Sequence, residues 1–384
     1  MTKINARSPF YIKVEKTSMT SVELKLYIYT GTFTANASVS SGTLRYTITK
    51  TPLTGKNYVV YEVSELIRDY LEIEFSGSYT SQVVWVNAIA TVTGGSGSVT
   101  VTPDNTNGYL GFDGYGYFEE GINPALSGTV LQSNNTIVRV NDGSVRLPVY
   151  TENTTRVTFL NNGEQLQTTA ISSSTNTNAQ IQYVALSYNS EDSYKERVLA
   201  DSGTIEESDC LTAYLNSLDV NQIDEVQVVS STGTEVLTVK TLECSKYTPY
   251  KITFVNKFGA LQDMWFSLKS TESLNTKGEQ FKSNVINFDT LTYNTYTPQQ
   301  SQFMKTGKEA ITLNTDYIPE ENNEVIKQLM MSEQVYLTKV GDQELVLGVI
   351  PKTSNVTYKT SLNDRLVQYT IDFDYAFDKI NNVR

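Results

Sequence analysis

The chain has 384 residues, with 30 Lys and Arg against 42 Asp and Glu, no histidine, two cysteines and 25 tyrosines. The missing histidine excludes Ser-His-Asp and Cys-His catalysis, an imidazole base and a zinc–imidazole site. A net charge of -12, with no two basic residues adjacent, argues against a phosphate-backbone binder built on clustered Lys and Arg.

Length allows two or three domains. Charged residues make up 19% and aromatics 11%. That balance is rich in uncharged polar residues, yet carries enough apolar surface to argue against wholesale disorder. Cys210 and Cys244 are too few for a disulfide scaffold and suit thiols in a reducing cytoplasm. No apolar stretch reaches the length of a membrane span, and none follows the N-terminus as in a secretory signal.

Period-2 alternation predicts strands from the start. Val22, Leu24, Leu26 and Ile28 share one face, as do Leu44, Tyr46 and Ile48. Residues 83–92 are mostly apolar on both faces, as in a strand covered on two sides. Val63, Leu66, Ile67, Tyr70 and Leu71 share a helical face. Residues 1–93 are therefore expected to form a β-sandwich module with one short helix, closed by a turn or flexible link at 94–98. In 94–128, glycine alternates with Tyr109, Phe112, Tyr115, Tyr117 and Phe118, a loop fitted either to its own domain or to a neighbouring subunit.

Residues 129–245 alternate short strands with polar turns, giving a second β module. Asn141-Asp142-Gly143 and Asn161-Asn162-Gly163 are expected as hairpin-type turns, 172–178 as a polar loop, and 206–209 as a solvated acidic face. In 246–384, Pro319-Glu320-Glu321 suits the start of a helix over about 318–331, with Val325, Ile326, Leu329 and Met330 inward and Glu324, Lys327 and Gln328 outward. A hairpin turning at Gly341-Asp342 and a strand with Val367, Tyr369, Ile371 and Phe373 on one face complete a C-terminal helix–hairpin unit. The fold class expected is all-β, in tandem sandwich-like or barrel-like modules with few short helices.

Chemistry-bearing motifs are scarce. Gly307-Lys308 lacks the rest of a phosphate loop. The run from Asp104 puts tyrosine at positions 6 and 12, where a calcium loop needs Gly and Glu, so a polar turn is expected. Glu119 and Glu120 point to opposite sides of an extended segment, and Asp372 and Asp374 share a solvated strand face; neither pair suits glycoside hydrolysis. No catalytic, cofactor-binding or metal residue is assigned. Exposed tyrosines leave a glycan-binding surface as an alternative, and a polysaccharide-cleaving enzyme as a third.

Three stretches, Asn5 to Ile12 (NARSPFYI), Tyr247 to Phe266 (YTPYKITFVNKFGALQDMWF) and the unit from Asp316 to Phe377, together resemble virion structural proteins of tailed phages infecting Bacteroidota, the crAss-like group in particular. The resemblance implies a neck or tail ring, or a tail tube, located in the virion and made in the host cytoplasm. It implies a homo-oligomer of six or twelve copies beside other neck and tail proteins. DNA would pass through without specific binding, and no cofactor or membrane would be involved. A closed ring needs heterologous interfaces, and an acidic lumen would not hold DNA. Candidate contact residues are Tyr109, Phe112, Tyr115, Tyr117 and Phe118 in the glycine-rich loop, and Phe258, Leu261, Trp265 and Phe266 in the second stretch.

Overall fold

The computed structural model describes residues 2–31, 33, 43–71, 73–80, 82–126, 128–140, 143–152, 154–171, 180–186, 223–231, 233–242, 246–339, 345–353 and 366–380. Cys210, Cys244, the polar loop at 172–178, the acidic run at 206–209 and the Gly341-Asp342 turn lie outside them. The chain is mostly strand, in several sheets, with little helix.

Six strands make the first sheet: β1 (Thr2–Asn5), β2 (Tyr11–Tyr29), β3 (Leu44–Lys50), β4 (Tyr58–Glu62), β5 (Val83–Thr102) and β6 (Tyr109–Phe112). Their order is β1-β6-β5-β2-β3, and β4 pairs with the first part of β2. Val22, Leu24, Leu26 and Ile28 are buried, as alternation requires. The short helix α1 (Ser64–Arg68) packs Ile67, flanked by Val63 and Leu71, into the same core. The expected link at 94–98 is a correction: it lies within β5, which runs antiparallel to β2 through two bulges. Gly94, Gly95 and Gly97 take positive φ there, and a Cβ on Gly95 would sit 2.3 Å from the Thr17 carbonyl oxygen. These glycines accommodate the bulges rather than free the chain. The first module accordingly runs past residue 93 to the end of β6.

The second module holds β7 (Thr136–Val140), β8 (Val145–Tyr150), β9 (Thr154–Asn161), β10 (Glu164–Ala170), β11 (Ile181–Leu186), β12 (Glu225–Ser230) and β13 (Gly233–Leu242). A five-stranded sheet, β10-β9-β12-β13-β7, faces the β8–β11 pair across a core that includes Leu147, Val157, Phe159, Val226 and Val228. Asn162 (φ 50) and Gly163 (φ 81) form the two-residue turn between β9 and β10, as their left-handed tolerance predicts. Of the expected turn at 141–143, Asn141 and Asp142 lie outside the described residues; the flanking strands do not pair with each other, since β7 pairs with β13 and β8 with β11.

The third module comprises β14 (Tyr250–Val255), β15 (Leu261–Phe266), β16 (Thr271–Lys282), β17 (Gln300–Asn314), β18 (Ile318–Pro319), α2 (Asn322–Met331), β19 (Val335–Lys339), β20 (Leu345–Pro351), β21 (Leu366–Val367) and β22 (Thr370–Tyr375). Its seven-stranded sheet runs β15-β14-β19-β20-β22-β17-β16. Val325, Ile326 and Leu329 bury α2 against it, with Met330 half-buried. Two expectations are corrected here. Pro319 does not start the helix but pairs with Leu366 in the short β18–β21 ladder. Gln328 is buried, not outward, because its amide is satisfied: it donates to Ser133 Oγ at 2.5 Å and accepts from the Lys257 amide at 3.2 Å.

The modules are not beads on a string. One cluster draws Phe75, Tyr79 and Trp85 from the first, Tyr150 and Tyr183 from the second, and Val255 and Leu261 from the third. Burial pushes the phenols of Tyr79, Tyr109, Tyr150 and Tyr183 well above their ordinary value of 10.0. A folded-state pKa raised above the unfolded one gives stability that is complete below pH 10.0 and lost as pH climbs through the folded values. An alkaline titration followed at 295 nm tests this. These four should ionise only together with loss of tertiary circular dichroism. Their ionisation in the still-folded chain would contradict the packing.

Candidate assembly interface

Five of the nine candidate contact residues belong to the chain's own core. Tyr109 and Phe112 sit on β6, covered by β1 and β5 on its two edges and by cores on its faces. Leu261 joins the cluster shared by all three modules, Trp265 enters the core of the second module, and Phe266 packs edge-on against Phe373 at 6.1 Å. These five have no surface to present to a neighbour. Phe258 is half-buried beside the shared cluster.

Tyr115, Tyr117 and Phe118 lie on the loop after β6. Its base is fixed by Arg7, whose guanidinium donates to both oxygens of the buried Asp113 at 2.9 and 2.6 Å. A second arginine, Arg68, approaches Asp113 and bonds Glu333 at 2.5 Å. Farther along, the Tyr117 hydroxyl donates to Glu324 on α2 at 2.5 Å. Lys327 and Lys257 lie 3.5 and 4.5 Å from its ring centroid. Glu120 accepts the Tyr117 amide at 2.8 Å and pairs with Lys257. The loop is thus latched to α2, and Phe118 at its apex is 99% exposed. Tyr117→Phe removes the bond to Glu324 and leaves the ring contacts, so it is expected to cost about 1 kcal/mol in urea unfolding. No loss at all would show that the latch carries no energy.

Among the described residues, the most numerous group of exposed large apolar side chains lies elsewhere, in a region without a predicted element. β16 and β17 form a long hairpin, and β22 stops covering β17 at Ala310. From Leu274 and Glu309 outward no third strand pairs with them; the Lys379 amide bonds the Gly307 carbonyl at 2.8 Å, and beyond Gly307 the two strands pair only with each other among the described residues. β16 is exposed throughout. At the tip, Ile286, Phe288, Leu291, Tyr293 and Tyr296 are 48–82% exposed, and on the outer stem Phe281 and Phe303 stack edge-on at 6.0 Å beside Met304. The available signal was five aromatic residues between 281 and 303 with a single charge from 283 to 299, Asp289.

The acidic candidates are committed to local structure. Asp104 accepts the Thr106 amide and hydroxyl, closing the expected polar turn. Asp372 bonds Thr312 at 2.5 Å and Asp374 faces Lys352 at 3.4 Å, on the outer side of β22. Among the described residues no group of three potential metal ligands occurs. Among the described residues no helix is long and apolar enough to cross a membrane. No known protein family matches the sequence, and neither a curated protein nor a solved structure matches it.

Proposed function

We propose that this chain acts by assembly, as a virion structural subunit that builds a ring or tube in the neck or tail of a tailed phage. The observation that carries the reading is the β16–β17 arm, a hairpin that extends beyond its sheet and exposes aromatic side chains. A soluble monomer rarely maintains so large an apolar patch without a partner to cover it. The resemblance of three sequence stretches supplies the setting, and the charge of -12 suits a wall past which DNA slides without adhering. The same reading requires no catalytic residue. Glycan binding through the glycine-rich loop is weaker, because the Tyr117 ring is already flanked by Lys327 and Lys257.

Single-particle imaging and mass photometry of the purified chain test this. Closed rings or stacked rings of six or twelve subunits are expected. A chain that stays monomeric at tens of micromolar, and that is missing from purified virions, would overturn the proposal.

A further inference from the structure

Resting on that reading, we infer that the β16–β17 arm of one copy seats on the body of a second copy, across the outer face formed by β2 and β4. The arm needs a partner for two reasons. A two-stranded ribbon is marginal in water without a third strand or a packed face. Here about six residues of each strand, roughly 20 Å at ~3.4 Å per residue, extend past the last backbone contact from the body, Lys379 to Gly307. The eight large apolar side chains of the tip and outer stem expose about 1,000 Å², at ~150–250 Å² for each large side chain. That is what one partner contributes to a standard-size interface, ~800 Å².

Charge selects the second copy. Residues 271–310 carry Glu272, Glu279, Asp289 and Glu309 against Lys277, Lys282, Lys305 and Lys308, so the arm is neutral and the rest of the chain holds the entire -12. A neutral arm approaches an acidic copy without Coulomb cost. It lacks the positive excess that a nucleic acid or an anionic lipid surface would demand. The receiving face is also a neutral island. Tyr11, Lys13 and Glu15 on β2 lie opposite Glu62, Val60 and Tyr58 on β4, all on the outward side. Lys50 adds its ammonium there, bonded to the Val60 carbonyl at 2.8 Å. Tyr11, Tyr58 and Val60 are 36–45% exposed. Arm and face belong to opposite modules, which makes the contact heterologous, the kind that propagates around a ring.

Two full-chain variants test the contact. One replaces residues 276–307 with Asn-Gly, joining Asn275 to Lys308, which already face each other across the hairpin. The other keeps the arm and changes Phe288→Ser and Tyr296→Ser. Both should retain the parent's tryptophan fluorescence, since Trp85 and Trp265 are buried in the body and the arm holds no tryptophan. Self-association is expected to weaken about 100-fold, as for loss of an aromatic hot spot. A photo-reactive phenylalanine at position 288, in a mixture of isotopically light and heavy chains, should cross-link to residues 11–15 or 58–62 of another copy. Unchanged assembly of both variants, or cross-links confined to one copy or to a neighbour's arm, would overturn the inference while leaving assembly intact. A parent chain that never associates would instead defeat the proposed function itself.

Discussion

Asp263→Ala is expected to destabilise the protein by about 4 kcal/mol and to split its unfolding into more than one transition. The carboxylate on β15 accepts three hydrogen bonds: from the Tyr79 hydroxyl at 2.5 Å, the Thr253 hydroxyl at 2.7 Å and the Arg146 amide at 2.9 Å. Tyr79, Arg146 and Thr253 are all buried, and they come from the first, second and third modules respectively. Alanine leaves three buried donors without this acceptor, at roughly 1–3 kcal/mol each before relaxation. Asp263→Asn keeps the side chain's shape and one oxygen acceptor, so it should lose about half as much. Urea unfolding followed separately by tryptophan fluorescence and far-ultraviolet circular dichroism checks both claims. Coincident transitions with a loss below about 1 kcal/mol would show that the junction is not held here.

What was legible in the sequence follows from how each segment is covered. β2 and β22 have one buried and one outer face, so alternation of Val22, Leu24, Leu26 and Ile28, or of Ile371 and Phe373, marks them directly. Asn162-Gly163 was readable because its chemistry is local. Trp265 and Phe266 were not assignable, since a bulky anchor has the same signature whether its partner is in its own chain or another. Gln328 misled because a polar residue at a helix seam is stabilised by groups more than 70 residues away in sequence. The arm was missed for the opposite reason. With neither face buried, β16 has no inside and outside to pattern, and its twelve residues show no polar alternation to read. The feature that carries the functional proposal is therefore the one with the weakest periodic signal.

Gly259→Ala should be a severely damaging single-methyl change, lowering stability by about 3 kcal/mol and displacing the glycine-rich loop. Gly259 closes the turn between β14 and β15 at φ +73. Its amide bonds the Asn256 carbonyl at 3.0 Å, and the Asn256 side chain accepts the amides of Phe258 and Ala260. A Cβ there would lie 2.7 Å from the Asp113 nitrogen and 2.8 Å from the Gly114 nitrogen, and backbone atoms cannot swing aside as a flexible side chain can. The neighbouring chain has no slack either. A Cβ on Gly114 would meet the Lys257 carbonyl oxygen at 2.8 Å, and the Tyr115 amide bonds that same carbonyl at 2.9 Å. Relief requires the two segments to separate, which loosens the Arg7–Asp113 pair and the Tyr117 latch together. Gly121→Ala isolates the conformational part: its φ is +95 but nothing lies within 4 Å of the added carbon, so a loss of only about 1 kcal/mol is expected. The difference between the two variants in urea unfolding measures the close approach alone. Equal losses would mean that backbone strain, and not the packing of loop against turn, makes glycine necessary at 259.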